Sequence, residues 1–190
     1  MWRHLSPNTQ GILLALTAGM AYFVAYRLNE LMDSWALYTQ GINLIFIPAG
    51  IKHLAILLAG KWGALGSLVA LFVLAMDFWK GASFEQIACY SLFSTATTWV
   101  GILLSLRLLG ICRNLSNLKL IHLPVMDLIT TALHGAMTNA YFILTGMKSE
   151  NFLANALAMM VGDYVGSFIV LMLLWASLMV VKRCRLQQQP

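Results

Sequence analysis

The sequence contains few charged residues. Of its 190 residues, 10% are Asp, Glu, Lys or Arg, whereas 60% are hydrophobic. Soluble domains carry about 25% charged residues, so this composition excludes an ordinary soluble domain. Apolar runs of the length that crosses a bilayer as a helix recur along the whole chain. We therefore predict an all-α integral membrane protein with a multi-pass helix bundle.

Cysteine is also scarce. The three cysteines, Cys89, Cys112 and Cys184, form no C-x-x-C motif and have no histidine at ligand spacing, so neither a metal site nor a disulfide framework is predicted. The sequence also has no G-x-S-x-G, H-E-x-x-H or P-loop motif. We expect no enzyme, no catalytic residue and no metal site, and the sequence identifies no cofactor.

The net charge of +5 does not indicate a nucleic-acid partner, because the basic residues flank apolar segments and form no continuous patch. This pattern is typical of membrane topology, and the lipid bilayer is the predicted partner. With the N-terminus inside, the inner side holds Arg3, Lys61, Arg107, Arg113, Lys119, Lys182, Arg183 and Arg185. The outer side holds Arg27, Lys80 and Lys148. Both termini are therefore predicted to be cytoplasmic.

The apolar runs predict about six transmembrane helices in a single domain over residues 1–190. No A-x-A cleavage site follows the first run, so we expect an uncleaved helix there. The predicted spans are about residues 11–28, 43–60, 64–76, 84–108, 123–145 and 152–181.

Small residues recur at helical spacing in the first and last spans. The first span carries Gly11, Ala15, Gly19, Ala21 and Ala25, and the last carries the pair Gly162 and Gly166. Such spacing lets a second helix approach closely. It predicts either packing within the chain or docking of a partner protein.

The second predicted span is unusually polar for its setting, since it contains Pro48, Gly50, Lys52 and His53. A charged side chain in the bilayer costs a few kcal/mol, so it normally faces a cavity or a partner. Proline inside a helix also leaves a carbonyl group unpaired. We expect the functional site here.

Three ionisable residues reach one depth. Counted from the outer ends of their spans, Lys52, His134 and Asp163 lie roughly 13–17 Å deep. We expect Lys52 to pair with Asp163, because either charge alone is costly in hydrocarbon. His53, Asn139 and Asn155 complete the predicted network, which is either a structural bridge or a ligand pocket open to the outer side.

Other polar residues are given structural roles. Asp127 follows Pro124 in the first turns of the fifth span, which predicts a cap-region or interfacial carboxylate. The hydroxyls of Ser91, Ser94, Thr95 and Thr98 share one helix face. We expect them to bond back to carbonyl groups of their own helix.

Two short motifs resemble a known family. Phe46-Ile47-Pro48-Ala49-Gly50-Ile51 and Gly162-Asp163-Tyr164-Val165-Gly166 resemble the proline-alanine-glycine and glycine-aspartate-x-x-glycine motifs of the membrane-associated sensor domain of the MASE group, first type. The resemblance covers residues 40–181. It implies a sensory module of the bacterial inner membrane, with Pro48, Ala49, Gly50, Gly162, Asp163 and Gly166 at the motif positions. The family commonly has more spans and an attached output domain, so here we expect signalling to a separate membrane or cytoplasmic partner.

Three functions remain open from the sequence. The first is a stand-alone sensor that binds a small ligand, or reports a membrane state, at the level of Lys52, His134 and Asp163. The second is a substrate-binding component of an energy-coupling-factor transporter, which the six predicted spans and the small residues of the first helix resemble. The third is a structural accessory subunit of a membrane complex.

Overall fold

The computed structural model describes residues 6–147 and 151–187, with side chains as far as residue 177. Within these ranges there are seven helices and one two-stranded antiparallel hairpin. Arg3 and Lys148, which the topology prediction used, lie outside the described residues, as do the side chains of Lys182, Arg183 and Arg185. The elements are α1 Pro7–Glu30, α2 Asp33–Ala36, β1 Leu37–Thr39, β2 Ile42–Asn43, α3 Ile47–Ala59, α4 Lys61–Phe78, α5 Phe84–Leu108, α6 His122–Leu144 and α7 Phe152–Gln187.

The other five long helices surround α3. Helix α3 packs against α1, α4, α5 and α7, while α4 and α5, α5 and α6, and α6 and α7 form successive pairs. Helix α1 packs against α3 and α4. The core of the bundle therefore lies where α3 meets α5, α6 and α7.

Residues 31–46, here called the cap, cover one end of the bundle. The cap contains α2 and the β1–β2 hairpin, whose turn uses Gly41 at a φ of +76°. The backbone N–H of Phe46 donates to the carbonyl of Gly162 on α7 at 2.9 Å. The cap is therefore tied to α7. We call this end the cap end and the opposite one, with residues 109–121, the loop end.

The predicted all-α membrane fold is confirmed at the level of helices, but the prediction of six spans is not. Four described helices are long and apolar enough to cross a bilayer: Pro7–Glu30, Lys61–Phe78, Phe84–Leu108 and Phe152–Ser177. Helix α3 has 13 residues and measures about 20 Å, against about 30 Å of hydrocarbon. Helix α6 is long enough, but its inward polar residues lower its hydropathy.

Two predicted boundaries were wrong. The predicted second span began at residue 43, whereas α3 begins at Ile47 and places Pro48 in its first turn. Proline is tolerated there because that N–H has no intrahelical partner, so Pro48 does not break the helix. The predicted third span began at residue 64, whereas α4 begins at Lys61, directly after Gly60 at a φ of +55°.

Candidate functional site

Lys52 and His53 are consecutive residues of α3, and both are buried. Only 2% of Lys52 and 8% of His53 is exposed. Successive residues of a helix point about 100° apart, so the two side chains meet different neighbours. Lys52 contacts residues of α5 and α6, whereas His53 contacts α6 nearer the loop end and α7.

The first group, here called the upper cluster, consists of Lys52, Ser94, His134 and Asp163. Lys52 Nζ lies 3.4 Å from Ser94 Oγ and 3.5 Å from His134 Nε2. His134 Nε2 lies 2.9 Å from Ser94 Oγ, and His134 Nδ1 lies 2.8 Å from Asp163 Oδ2. A neutral imidazole whose Nδ1–H donates to Asp163 can accept at Nε2 from Ser94 or Lys52. The imidazole thus connects the cation with the carboxylate.

The predicted pairing of Lys52 with Asp163 was wrong. Among the described residues, no ion pair within 4.0 Å joins them, and Asp163 is paired with His134 instead. The rise per residue sets the depth of a side chain but not the direction in which it points. The three residues do meet at one depth, as predicted, with the ring of His134 between the two charges.

The second group, here called the lower pair, consists of His53 and Asp127. His53 Nδ1 lies 2.5 Å from Asp127 Oδ1, and Ser167 Oγ on α7 lies 3.4 Å from the same nitrogen. The prediction of an interfacial Asp127 was wrong, since only 6% of it is exposed. Helix α6 begins at His122, so Asp127 lies beyond the first turn and faces α3.

A cavity of about 40 Å³, here called the cap cavity, lies between the cap and the upper cluster. Lys52, Ser94, His134 and Asp163 all line it. Its volume suffices for roughly two or three water molecules at about 10–15 Å³ each. Aromatic and polar residues complete the lining, among them Tyr22, Tyr26, Asn29, Glu30, Asp33, Asn43, Phe46, Phe78, Trp79 and Tyr90.

Two amides make hydrogen bonds beside this cavity, one between α1 and the start of α3 and one within the cap. Asn29 Oδ1 accepts from the backbone N–H of Ile47 at 2.9 Å, and Asn43 Nδ2 donates to Asp33 Oδ1 at 3.1 Å. Burial raises the pKa of the Asp33 carboxyl above its ordinary value, against the effect of the bond from Asn43. The sequence analysis missed Asn29, although a polar residue on the last turn of an apolar helix is a recognisable signal.

Two predicted members of the network lie elsewhere. Asn139 is buried between α6 and α7, where its Nδ2 donates to the Gly135 carbonyl at 2.8 Å. Asn155 is half-buried on α7, about 12 Å before Asp163 along the helix. In the described part of the chain, neither residue lines the cap cavity.

Two of the four α5 hydroxyls behave as predicted; the other two are Ser94 and Thr95, and Thr95 Oγ1 has no hydrogen-bond partner among the described residues. Ser91 and Thr98 donate to the carbonyls of Ile87 and Ser94, each at 2.9 Å. Ser94 instead turns its hydroxyl to His134 and Lys52. Ser94 is therefore a site residue that the sequence analysis assigned to helix packing.

The small residues of α1 are used within the chain. A Cβ atom at Gly11 would overlap the Trp62 ring, and one at Gly66 would overlap the Ala15 carbonyl. Gly19 likewise packs against the backbone of Gly66. The predicted residues Ala21 and Ala25 lie on different faces, because Ala21 is exposed and Ala25 is buried.

The structure brings the two resemblance motifs together. Gly50 of the first motif lies against Ser167 and Val170 of α7. A Cβ atom at Gly162 or Gly166 would overlap the carbonyl of Asn43 or Phe46. The glycines therefore allow α7 to approach the end of the cap and the start of α3, which places Asp163 beneath the cap.

Searches against family models, curated proteins and solved structures give no match to this chain. The chemistry of the site is therefore argued from its own geometry. Within the described residues, no group of three or more His, Cys, Asp or Glu side chains is placed to hold a metal ion.

Proposed function

We propose that this chain is a sensor-like integral membrane protein that binds a small polar ligand in the cap cavity. In this proposal, ligand binding is signalled to a separate membrane or cytoplasmic protein. The observation that carries the proposal is Lys52, a buried cation that lines the cavity and, within the described part of the chain, makes two long hydrogen bonds, of 3.4 and 3.5 Å. A lysine ammonium has three donors, so Lys52 is able to accept a further partner.

The proposed ligand carries a hydrogen-bond acceptor, such as a carboxylate or a carbonyl oxygen. Its acceptor would meet Lys52 at the floor of the cavity, while its apolar part would contact the rings of Tyr22, Trp79 and Tyr90. The cavity of about 40 Å³ admits little more than water, so binding requires the cap to move. This movement would break the hydrogen bond from Phe46 to Gly162 and the packing of Ile42 against Trp79 and Phe142.

Helix α7 is the proposed route of the signal. Its Asp163 binds His134, and its Gly162 accepts the hydrogen bond from Phe46 of the cap. The helix has 36 residues and is about 54 Å long, which exceeds the thickness of a bilayer. A change beneath the cap would therefore be transmitted by α7 to a partner beyond the membrane.

We also propose that all six long helices lie in the bacterial inner membrane, with the cap outside and both termini cytoplasmic. The charge distribution supports this topology. The loop end carries Lys61, Arg107, Arg113 and Lys119, whereas the cap end carries Arg27 and Lys80 together with Glu30, Asp33, Asp77 and Glu85. The resemblance of the two glycine motifs to the MASE sensor group supports the same assignment.

The structure gives less support to the transport alternative than to a sensor. That alternative assigned the small residues of α1 to docking of a coupling subunit. Gly11, Ala15 and Gly19 instead contact Trp62 and Gly66 of α4. The sensor function is therefore the one we put to the test.

The test measures the melting temperature of the purified protein with a panel of small carboxylates and amino acids. A ligand at 100 times its Kd stabilises the fold by about 2.7 kcal/mol, or roughly 5–10 °C for a chain of this size. We expect at least one compound to do so, and Lys52→Met to abolish the shift.

Lys80→Met is the matched control, because Lys80 is exposed at the cap end and does not line the cavity. It should keep the wild-type shift. A panel without any stabilising compound, or an equal shift in Lys52→Met, would contradict the proposal.

A further inference from the structure

The lower pair lines a second cavity, of about 30 Å³, here called the lower cavity. It is distinct from the cap cavity and extends towards the loop end, since Leu57 near the end of α3 and Leu123 at the start of α6 line it. Thr130 and Ser167 add hydroxyl groups to its wall. The remaining lining residues are mostly apolar.

Two polar atoms of the lower pair have no partner in the described structure. They are His53 Nε2 and Asp127 Oδ2, and both are buried. An unpartnered buried polar atom costs about 1–3 kcal/mol, so such atoms in a native protein call for an explanation. Both belong to residues that line the lower cavity, where water is able to reach them.

The upper cluster and the lower pair are neighbours on two helices. Lys52 and His53 are adjacent on α3, while Asp163 and Ser167 lie one turn, about 6 Å, apart on α7. Ser167 Oγ is 3.4 Å from His53 Nδ1. Ser167 therefore lies between Asp163 and His53, in direct contact with His53 and one helical turn from Asp163.

We propose that these two His–Asp pairs form a proton path between the two cavities, an activity beyond the ligand binding proposed above. Histidine suits this role because it binds and releases protons at two separate ring nitrogens. The pairs lie in series, and each has one polar edge on a cavity.

In the upper step, a proton from water in the cap cavity binds Nε2 of His134, directly or through Lys52 or Ser94. The proton on Nδ1 then passes to Oδ2 of Asp163. In the lower step, the Asp163 carboxyl returns its proton to water, which transfers it through Ser167 to the His53–Asp127 pair. His53, as its Nε2–H tautomer, accepts this proton at Nδ1, and the imidazolium formed beside Asp127 then releases its Nε2 proton into the lower cavity.

The transfer is balanced, because one proton enters, one leaves and no electron moves. Each imidazole ring ends as the opposite tautomer. Transfer of its single N–H proton back to the other ring nitrogen through water restores the starting tautomer. The path works in either direction, so the proton gradient across the membrane sets the direction of net flow.

Other titratable groups face the path. Tyr22 and Tyr26 of α1 and Tyr90 of α5 line the cap cavity, and Glu30 and Asp33 lie at its rim. The lining residues Leu71, Ala75 and Phe78 of α4, and Trp79 directly after it, do not titrate. Lys52 is the only cation among the lining residues described, and it disfavours a second positive charge on His134.

The test uses the full chain in liposomes of phosphatidylethanolamine and phosphatidylglycerol, loaded with potassium and a pH-sensitive dye. Dilution into low potassium with valinomycin makes the interior negative and drives protons inward. We expect the interior to acidify faster than in protein-free liposomes. In Asp127→Asn, acidification should fall to the protein-free rate, and in Asp127→Glu it should be largely restored.

Asp77→Asn is the control, because it removes an exposed carboxylate at the cap end and should leave the flux unchanged. If Asp127→Asn does not fold, Ser167→Ala replaces it: a reduced flux supports the path, and a wild-type flux overturns it. Wild-type flux equal to that of protein-free liposomes, or an active folded Asp127→Asn protein, also overturns it. Neither variant alters a residue of the cap cavity, so loss of proton flux leaves the ligand-binding test unaffected.

Discussion

The contact between α1 and α4 and the polar contacts of α6 with α3 and α7 represent two ways of joining helices in one bundle. The first uses small residues, with Gly19 and Gly66 bringing the backbones close together. The second uses buried polar side chains, with His134 bound to Asp163 and His53 bound to Asp127. Close packing supplies many weak contacts, whereas each polar pair is a single contact that is costly to break.

This difference concerns the chemistry of the two kinds of contact. The α1–α4 contact is made by small and apolar residues, and it borders an apolar groove lined by Leu16, Met20 and Val69. The polar contacts contain ionisable groups and border two cavities. The upper cluster and the lower pair therefore come from α3, α5, α6 and α7, and α1 with the cap encloses them.

The largest expected effect on stability comes from breaking the buried pair of His134 and Asp163. Asp163→Leu removes the acceptor of the His134 Nδ1–H bond and leaves a buried imidazole and Lys52 without their carboxylate. Breaking a buried pair costs about 3–5 kcal/mol, which corresponds to a loss of roughly 10 °C or more in melting temperature. Thermal denaturation in detergent measures the loss.

Asp163→Asn keeps an acceptor for His134 and should lose much less stability. Val161→Leu, at an exposed position of the same helix, should lose none. If Asp163→Leu has the same melting temperature as the wild-type protein, the buried pair contributes nothing to stability and the comparison fails.

A smaller effect is expected at the close-packed contact. Gly66→Val places a side chain where the carbonyl of Ala15 lies. Overpacking of this kind costs about 1–3 kcal/mol, because α1 must move away from α4. The melting temperature should fall by a few degrees, and cap-cavity ligand binding should persist.

Leu65→Val, at an exposed position beside Gly66, serves as its control and should leave stability unchanged. A Gly66→Val protein as stable as wild type would show that α1 and α4 do not depend on close approach.

The smallest effect is at the rim of the cap cavity. Burial raises the pKa of Asp33 above its ordinary 3.8, so its stabilising contribution is complete below that pH and is lost as the pH rises through the folded-state pKa. Asp33→Asn should therefore raise the melting temperature at pH 7 but not near pH 4. We expect less than about 0.5 kcal/mol, because Asp33 is only half-buried.

Glu85→Gln provides a comparison of opposite sign. Glu85 is exposed in the first turn of α5, where a negative charge favours the helix dipole. Its loss should lower the melting temperature at pH 7. Equal responses of the two variants would show that burial does not control the charge of Asp33.

Much of the fold was predictable because apolar runs indicate helices directly. The span predicted at 84–108 coincides with α5, and the others differ by a few residues from helices in the structure. The cap hairpin was not predicted, since its strands have only three and two residues. Such short strands give no detectable periodicity.

The candidate site was predicted in part. Lys52, His53, His134 and Asp163 were identified, because ionisable residues in apolar segments are conspicuous. Asp127 was assigned to the interface because it follows the start of its span so closely. Its inward direction depends on where α3 lies, which no local pattern in α6 reveals.

The sequence by itself determined that this chain forms apolar helices, and that ionisable groups from three of them reach one depth. Composition and the constant helical rise suffice for both, because each is a property of a single segment. The partner of each charge was decided by tertiary structure alone. Helix rotation and the approach of α7 at Gly162 and Gly166 place His134 between Lys52 and Asp163, and such directions arise only when helices pack.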